Sequence, residues 1–211
     1  MTRRVLIASR IYRPEPAAAS FRLGALEREL LARGMEVGVL TTRPRPTSYR
    51  RRALLDEGPA PDGLTVKRWP ALRDAQGYVR GYLPYLSFDL PLLFRLLLAP
   101  RPDVVVVEPP PTTGLVVRVA CALRRIPYVY YAADIWSVAA RETGAPRWVT
   151  ALLRLLERKA WSGANRVLTV YPSLVTALRD AAPDIAAVLV GHGADTEVFR
   201  PDGPPAPIDD P

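Results

Sequence analysis

Short apolar runs rich in β-branched residues alternate along this chain with longer segments whose apolar residues recur at helical spacing. Val104–Val107 is uniformly apolar and too short for a helix, which reads as a strand buried on both faces. Val5–Ser9, Met35–Thr41, Leu64–Trp69, Tyr128–Ala132, Arg166–Val170 and Ala187–Val190 read as further strands. Leu23, Leu26 and Leu30 make the stripe of a first helix, supported by the i, i+4 pair Glu29–Arg33 and ended by Gly34. Tyr82–Ala99, with Tyr85, Leu86, Phe88, Leu92 and Leu96 at mixed spacing, reads as a helix laid on the sheet or as one turning part of its surface to lipid. A third helix, with Thr112 and Thr113 as candidate caps, runs to near Arg125. A fourth opens at Pro146 and closes at Gly163, and a short one runs from Tyr171-Pro172-Ser173 through Arg179. This alternation predicts an α/β fold, Rossmann-like and doubly wound, with a mostly parallel sheet and helices on both faces. The expected division is a domain over residues 1–200 and a proline-rich linker or tail over 201–211.

A right-handed crossover makes the strands at Val104–Val107 and Tyr128–Ala132 parallel. Glu108–Thr113 and Ala133–Trp136 then leave the same carboxyl edge, where open parallel sheets bind their ligands. A polar Asp134-Ile135-Trp136 at the end of a buried strand is the best single site candidate. Asp134 either caps the following turn or orients an acceptor hydroxyl, and Trp136 can wall the site. Glu108 is a lesser candidate, while Thr112 and Thr113 either cap their helix or bind sugar.

The first loop runs through Ala17-Ala18-Ala19-Ser20 with no glycine until Gly24, which argues against a dinucleotide site. Ala18, Ala19 and Ser20 can still seat one phosphate on free N–H groups, with Arg13 or Arg22 adding charge. His192 is the only histidine and cannot build a zinc site; it either has no ligand role or serves in a cleft. No nucleophile elbow, Walker loop or pair of metal carboxylates is present in the sequence, and neither a metal nor a cofactor is expected.

Charge narrows the partners. The 211 residues carry a net charge of +8, and lysine occurs only at Lys67 and Lys159, so 27 of the 29 basic residues are arginine. Such a chain favours phosphates, nucleic acid or the acidic inner face of a membrane. Arg43, Arg45, Arg50, Arg51 and Arg52 cluster in a proline-broken segment that is either solvated or a hold on such a surface. Nucleic acid is disfavoured, because the arginines are spread along the chain and Tyr49 is the one aromatic residue within that cluster. Cys121 is the single cysteine, so no disulfide forms within the chain and a cytosolic setting is expected. No signal peptide is expected at the start. Leu83–Ala99 carries Pro84, Asp89, Pro91 and Arg95 and cannot span a bilayer unaided.

Six stretches in order resemble one family. They are Tyr12–Ala19 with Leu23–Gly34, Tyr85–Phe88, Arg101–Val105, Pro109-Pro110 with Thr113-Gly114 and Asp134–Trp136, Ala164–Val170 with Pro172-Ser173, and Gly191–Pro201. Together they resemble the amino-terminal half of a family 4 glycosyltransferase of GT-B fold, especially those that build bacterial surface polysaccharides.

The resemblance implies an acceptor-binding half of a retaining hexosyltransferase, with a nucleotide-sugar donor held mainly by an absent carboxyl-terminal domain. The acceptor is expected to be a glycan or a polyprenyl-diphosphate sugar, at the cytoplasmic face of an anionic membrane. Asp134 would be the catalytic position, with Ala18, Ala19, Ser20, Arg22, Glu108, Thr112, Thr113, Trp136 and His192 binding substrate. Ala17–Ala19, Ser137-Val138 and His192 depart from the family pattern. The rivals are a non-catalytic nucleotide- or nucleic-acid-binding module and a sugar-nucleotide epimerase or dehydrogenase.

Overall fold

The computed structural model describes residues 2–15, 17–44, 60–191 and 202. His192, the Gly191–Pro201 motif beyond its first residue, the cluster from Arg45 to Arg52 and the tail apart from Asp202 lie outside the described residues.

The strands are β1 (Arg4–Ala8), β2 (Glu36–Thr42), β3 (Leu64–Trp69), β4 (Val104–Val107), β5 (Tyr128–Ala132), β6 (Arg166–Thr169) and β7 (Ala187–Leu189). They form a seven-stranded sheet in the order β3-β2-β1-β4-β5-β6-β7, and every pairing is parallel. Register sets Val5 beside both Val37 and Val104. Chain order reverses between β1 and β4, so the topological switch point lies there. Residues 9–10 and 108–110 leave the sheet at that point.

The helices are α1 (Ala18–Ala32), α2 (Tyr82–Leu98), α3 (Pro111–Arg124), α4 (Trp136–Glu142), α5 (Arg147–Trp161) and α6 (Pro172–Ala181). One core lies under α1, where Leu23 meets Val5, Ile7, Val37 and Val39. The larger core, on the other face, is built by Phe88, Leu92 and Leu96 of α2, Val117 of α3, Trp161 of α5 and Leu178 of α6 on Leu6, Val105 and Tyr130. Trp69 stacks on Phe88 at 4.9 Å and ties the end of β3 to α2. At Gly114, α3 lies close against the sheet. A Cβ there would stand 2.5 Å from a Tyr130 ring carbon and 2.9 Å from the Ala160 methyl. Cys121 is buried in the larger core, which pushes its thiol up to about 11.

Two local expectations are corrected. Thr112 and Thr113 do not cap α3: Pro110 holds the N-cap position and Pro111 the first turn. The short helix expected from Tyr171-Pro172-Ser173 is α6, which does start there, with Tyr171 at the N-cap and Pro172 in its first turn. The chain after Asp134 also forms α4, a seven-residue helix with no apolar stripe to announce it.

Candidate active site

The loops at the switch point hold more ionised side chains than their burial would ordinarily permit. Glu108 follows β4 and is 2% exposed. A carboxylate removed from water needs a cation and hydrogen bonds, and Arg22 supplies the cation from the first turns of α1, with Nη2 3.1 Å from Oε1. The Ser9 hydroxyl lies 3.3 Å from Oε2 and donates to the Ile11 carbonyl at 2.8 Å. Burial raises the Glu108 pKa to about 6, with Arg22, Ser9 and Arg10 opposing it.

Arg10, the second residue after β1, is itself buried and donates to the Val79 carbonyl at 2.7 Å. Its guanidinium sits 4.2 Å from the Tyr85 ring centroid. Tyr85 in turn meets Trp136 edge-on at 5.8 Å. A wall of Arg10, Tyr85 and Trp136 thus joins β1, α2 and the residue after Ile135.

Below it, the Thr113 hydroxyl donates to Asp89 at 2.6 Å, which links α3 to α2. Desolvation raises the Asp89 pKa, and Thr113, Thr112 and Arg10 moderate it. Thr113 is fully buried in this link.

The amino end of α1 has no acidic residue in its first turn. Ala18 is exposed and Ala19 half-buried there, while Ser20 is buried. Among the described residues the Ser20 hydroxyl and the Nε atoms of Arg22 and Arg10 are buried without a hydrogen-bond partner. Unmatched donors of this kind next to a cation and a helix amino end suit an anion. Arg13 does not contribute, since it pairs with Glu27 at 2.7 Å.

Asp134 is exposed at the same edge, directly after β5. It does not cap the next turn: Glu157, reaching up from α5, accepts from the Trp136 N–H at 2.6 Å and the Ser137 N–H at 3.3 Å. Burial raises the Glu157 pKa and these bonds oppose it. The structure therefore brings Arg22 to Glu108 and sets Trp136 against Tyr85, with Ala18 to Ser20 and Asp134 at the rim and Thr113 withdrawn below. Arg10, Asp89 and Glu157 were not among the expected site residues. The signals that could have found them are a charge two residues after a buried strand and lone acids in two leucine-rich helices. Among the described residues, no group of three or more His, Cys, Asp or Glu is placed to hold a metal ion.

A glycosyl transferase 4-like domain model matches residues 18–193. The chain belongs to that family. This glycosyl transferase 4-like domain matches no curated protein. It is similar in fold to sucrose-phosphate synthase from Thermosynechococcus elongatus, at 14% identity and a TM-score of 0.63 over 93% of this chain and 50% of that one. It is also similar to Arabidopsis thaliana UGT89C1 complexed with UDP-L-rhamnose, at 15% identity and a TM-score of 0.59 over 90% and 49%. UDP-GlcNAc 2-epimerase from Methanocaldococcus jannaschii is another, at 15% identity and a TM-score of 0.51 over 91% and 46%. The domain spans about half the length of these structures, and they share its Rossmann-like sheet of GT-B type.

Proposed function

We infer that this domain is the amino-terminal, acceptor-side half of a retaining glycosyltransferase. It would move a hexosyl group from a nucleotide sugar to a lipid-linked glycan acceptor at the cytoplasmic membrane face. The observation that carries the reading is the Arg22–Glu108 pair at the switch point, beside unmatched donors of Ser20 and Arg22. Departure of a nucleoside diphosphate develops negative charge, and cations and N–H groups held in a buried rim stabilise it. Transfer on the same face of the sugar lets the leaving phosphate take the proton of the acceptor hydroxyl. The domain's own residues then mainly position: Asp134 orients that hydroxyl, Trp136 and Tyr85 wall the acceptor, and the first turn of α1 meets phosphate. A second domain holds most of the donor, in keeping with a chain that spans half of its structural neighbours. Neither a metal nor a cofactor has a part in this scheme.

Calorimetric titration of the domain with a polyprenyl-diphosphate sugar and, separately, with UDP-sugars tests the reading. Saturable binding of the lipid-linked sugar with weak UDP-sugar binding is expected. Tight UDP-sugar binding without any for the lipid-linked sugar would instead make this a nucleotide-binding module.

A further inference from the structure

The helices on the larger core form a layer whose outer side is apolar and basic at once. α2 packs on α3 and α3 on α5, so their outward faces adjoin. On α2, Leu86, Leu90, Phe94 and Leu98 recur every fourth residue on the face turned from the sheet, and Phe94 is 62% and Leu98 85% exposed. Val119 and Leu123 continue the surface on α3. On α5, Trp148, Leu152 and Leu155 fall on one line, with Trp148 68% exposed. Single exposed leucines are ordinary; an adjoining set across three helices marks an interaction surface.

Charge says what covers it. The acids of α2, α3 and α5 are Asp89 and Glu157, and both are buried inward. The exposed charges of α5 are Arg147, Arg154, Arg158 and Lys159. Lys159 extends the Trp148–Leu152–Leu155 line, and the arginines flank it. α1, on the opposite face, carries exposed Glu29 among its basic residues. Arg147 also sits in the first turn of α5, where the helix dipole disfavours a cation, so fold stability does not explain its placement. Leucine and tryptophan on one side of a helix and arginine and lysine beside them match the boundary between acyl chains and anionic headgroups. An acidic partner protein would match the charge but not call for so long an apolar stripe.

We propose that the outer face of α2, α3 and α5 docks this domain on an anionic lipid surface. The layer begins next to the site, because α2 starts at Tyr82 and carries Tyr85 of the wall. A docked layer holds the Arg10–Tyr85–Trp136 wall at headgroup depth, where a lipid-linked sugar presents its hydroxyls. The inference deepens the lipid-linked reading above and rests on it only for that last step.

The test is co-sedimentation of the chain with phosphatidylcholine vesicles with and without phosphatidylglycerol, all free of acceptor and nucleotide sugar. Binding to phosphatidylglycerol vesicles alone is expected. Arg147→Gln/Lys159→Gln removes exposed charges, and at about fivefold per basic residue it lowers partitioning roughly 25-fold. Leu90→Ser/Phe94→Ser lowers it roughly tenfold or more. Circular dichroism checks the fold of each, and the first pair touches exposed side chains only, so it decides the matter if the second fails to fold. Equal binding to neutral and anionic vesicles, no binding, or folded variants with unchanged binding overturns the proposal. So does a stable dimer that Leu90→Ser/Phe94→Ser converts to monomer, since a second copy would then own the surface. Because the vesicles hold no glycan, vesicle binding by a domain that ignores polyprenyl-diphosphate sugars in calorimetry would uphold this surface while refuting the proposed function.

Discussion

Glu108 shows how one side chain can carry both a stability cost and a role. Its pKa in the folded chain is about 6, above the ordinary 4.5. Between those values the folded state holds the proton longer than the unfolded chain, so stability falls as pH rises through this window. The difference amounts to about 2 kcal/mol at neutral pH and vanishes at low pH, where both states are protonated. Urea unfolding of the domain and of Glu108→Gln at low and neutral pH isolates this from Asp89 and Glu157, whose raised pKa values have the same sign. The gap between the proteins should shift by about 2 kcal/mol in favour of Glu108→Gln as pH rises. Asp134 is exposed, and Asp134→Ala should leave stability within about 0.5 kcal/mol. In the two-domain transferase proposed above it should lower turnover by roughly 100-fold with donor affinity unchanged, checked by steady-state kinetics beside donor titration. Sequence placed Glu108, Asp134 and Trp136 on one edge because strand ends are visible in an apolar pattern. It could not show that Arg22 would reach Glu108, 86 residues away, because such pairing depends on how the loops at the switch point close. Arg10 escaped notice for the same reason, since an arginine in a loop reads as solvated until burial is known.

Among the elements, strands were the most legible. Most are short apolar runs, β3 and β6 carrying charged residues as well, and each expected boundary agrees with the observed strand to within a residue or so. Helix ends were less so. Thr112 and Thr113 look like caps, yet Pro110 and Pro111 start α3 earlier and free Thr113 to bond Asp89. α4 was missed because its stabilisation is not local. It is seven residues long, too short to persist on its own, and the carboxylate that accepts its first N–H groups comes from α5. That makes Glu157 the point where α4 is most easily lost. Glu157→Ala should destabilise the domain by about 2–3 kcal/mol, since it leaves a void and unpaired N–H groups. Glu157→Gln keeps an acceptor and should lose about 1 kcal/mol or less. Thermal unfolding of both variants checks the order, and tryptophan fluorescence of Trp136 reports whether the wall against Tyr85 survives.

Across the whole molecule, the site stands on the part of the sheet that opens last. β1 and β4 lie at its centre, each paired on both sides and buried on nearly every residue. β7 is three residues long, pairs on one side only among the described residues, and leaves Val188 and Leu189 exposed. Local opening exposes little apolar surface at β7, whereas freeing β1 separates it from both β2 and β4 and uncovers both cores. Amide protection should therefore fall from the centre to this edge. Hydrogen exchange followed by mass spectrometry should show β7 amides exchanging at least about a thousandfold faster than those of β1 and β4, with β6 between. Arg10, Glu108 and Asp134 follow β1, β4 and β5, so the gradient puts the charged rim on strands that move together. If β1 instead exchanged as fast as β7, the rim would lack a rigid base and the Arg22–Glu108 geometry could not be held in solution. Equal protection across the sheet would show one cooperative unit, in which the edge strand is as firmly held as the centre.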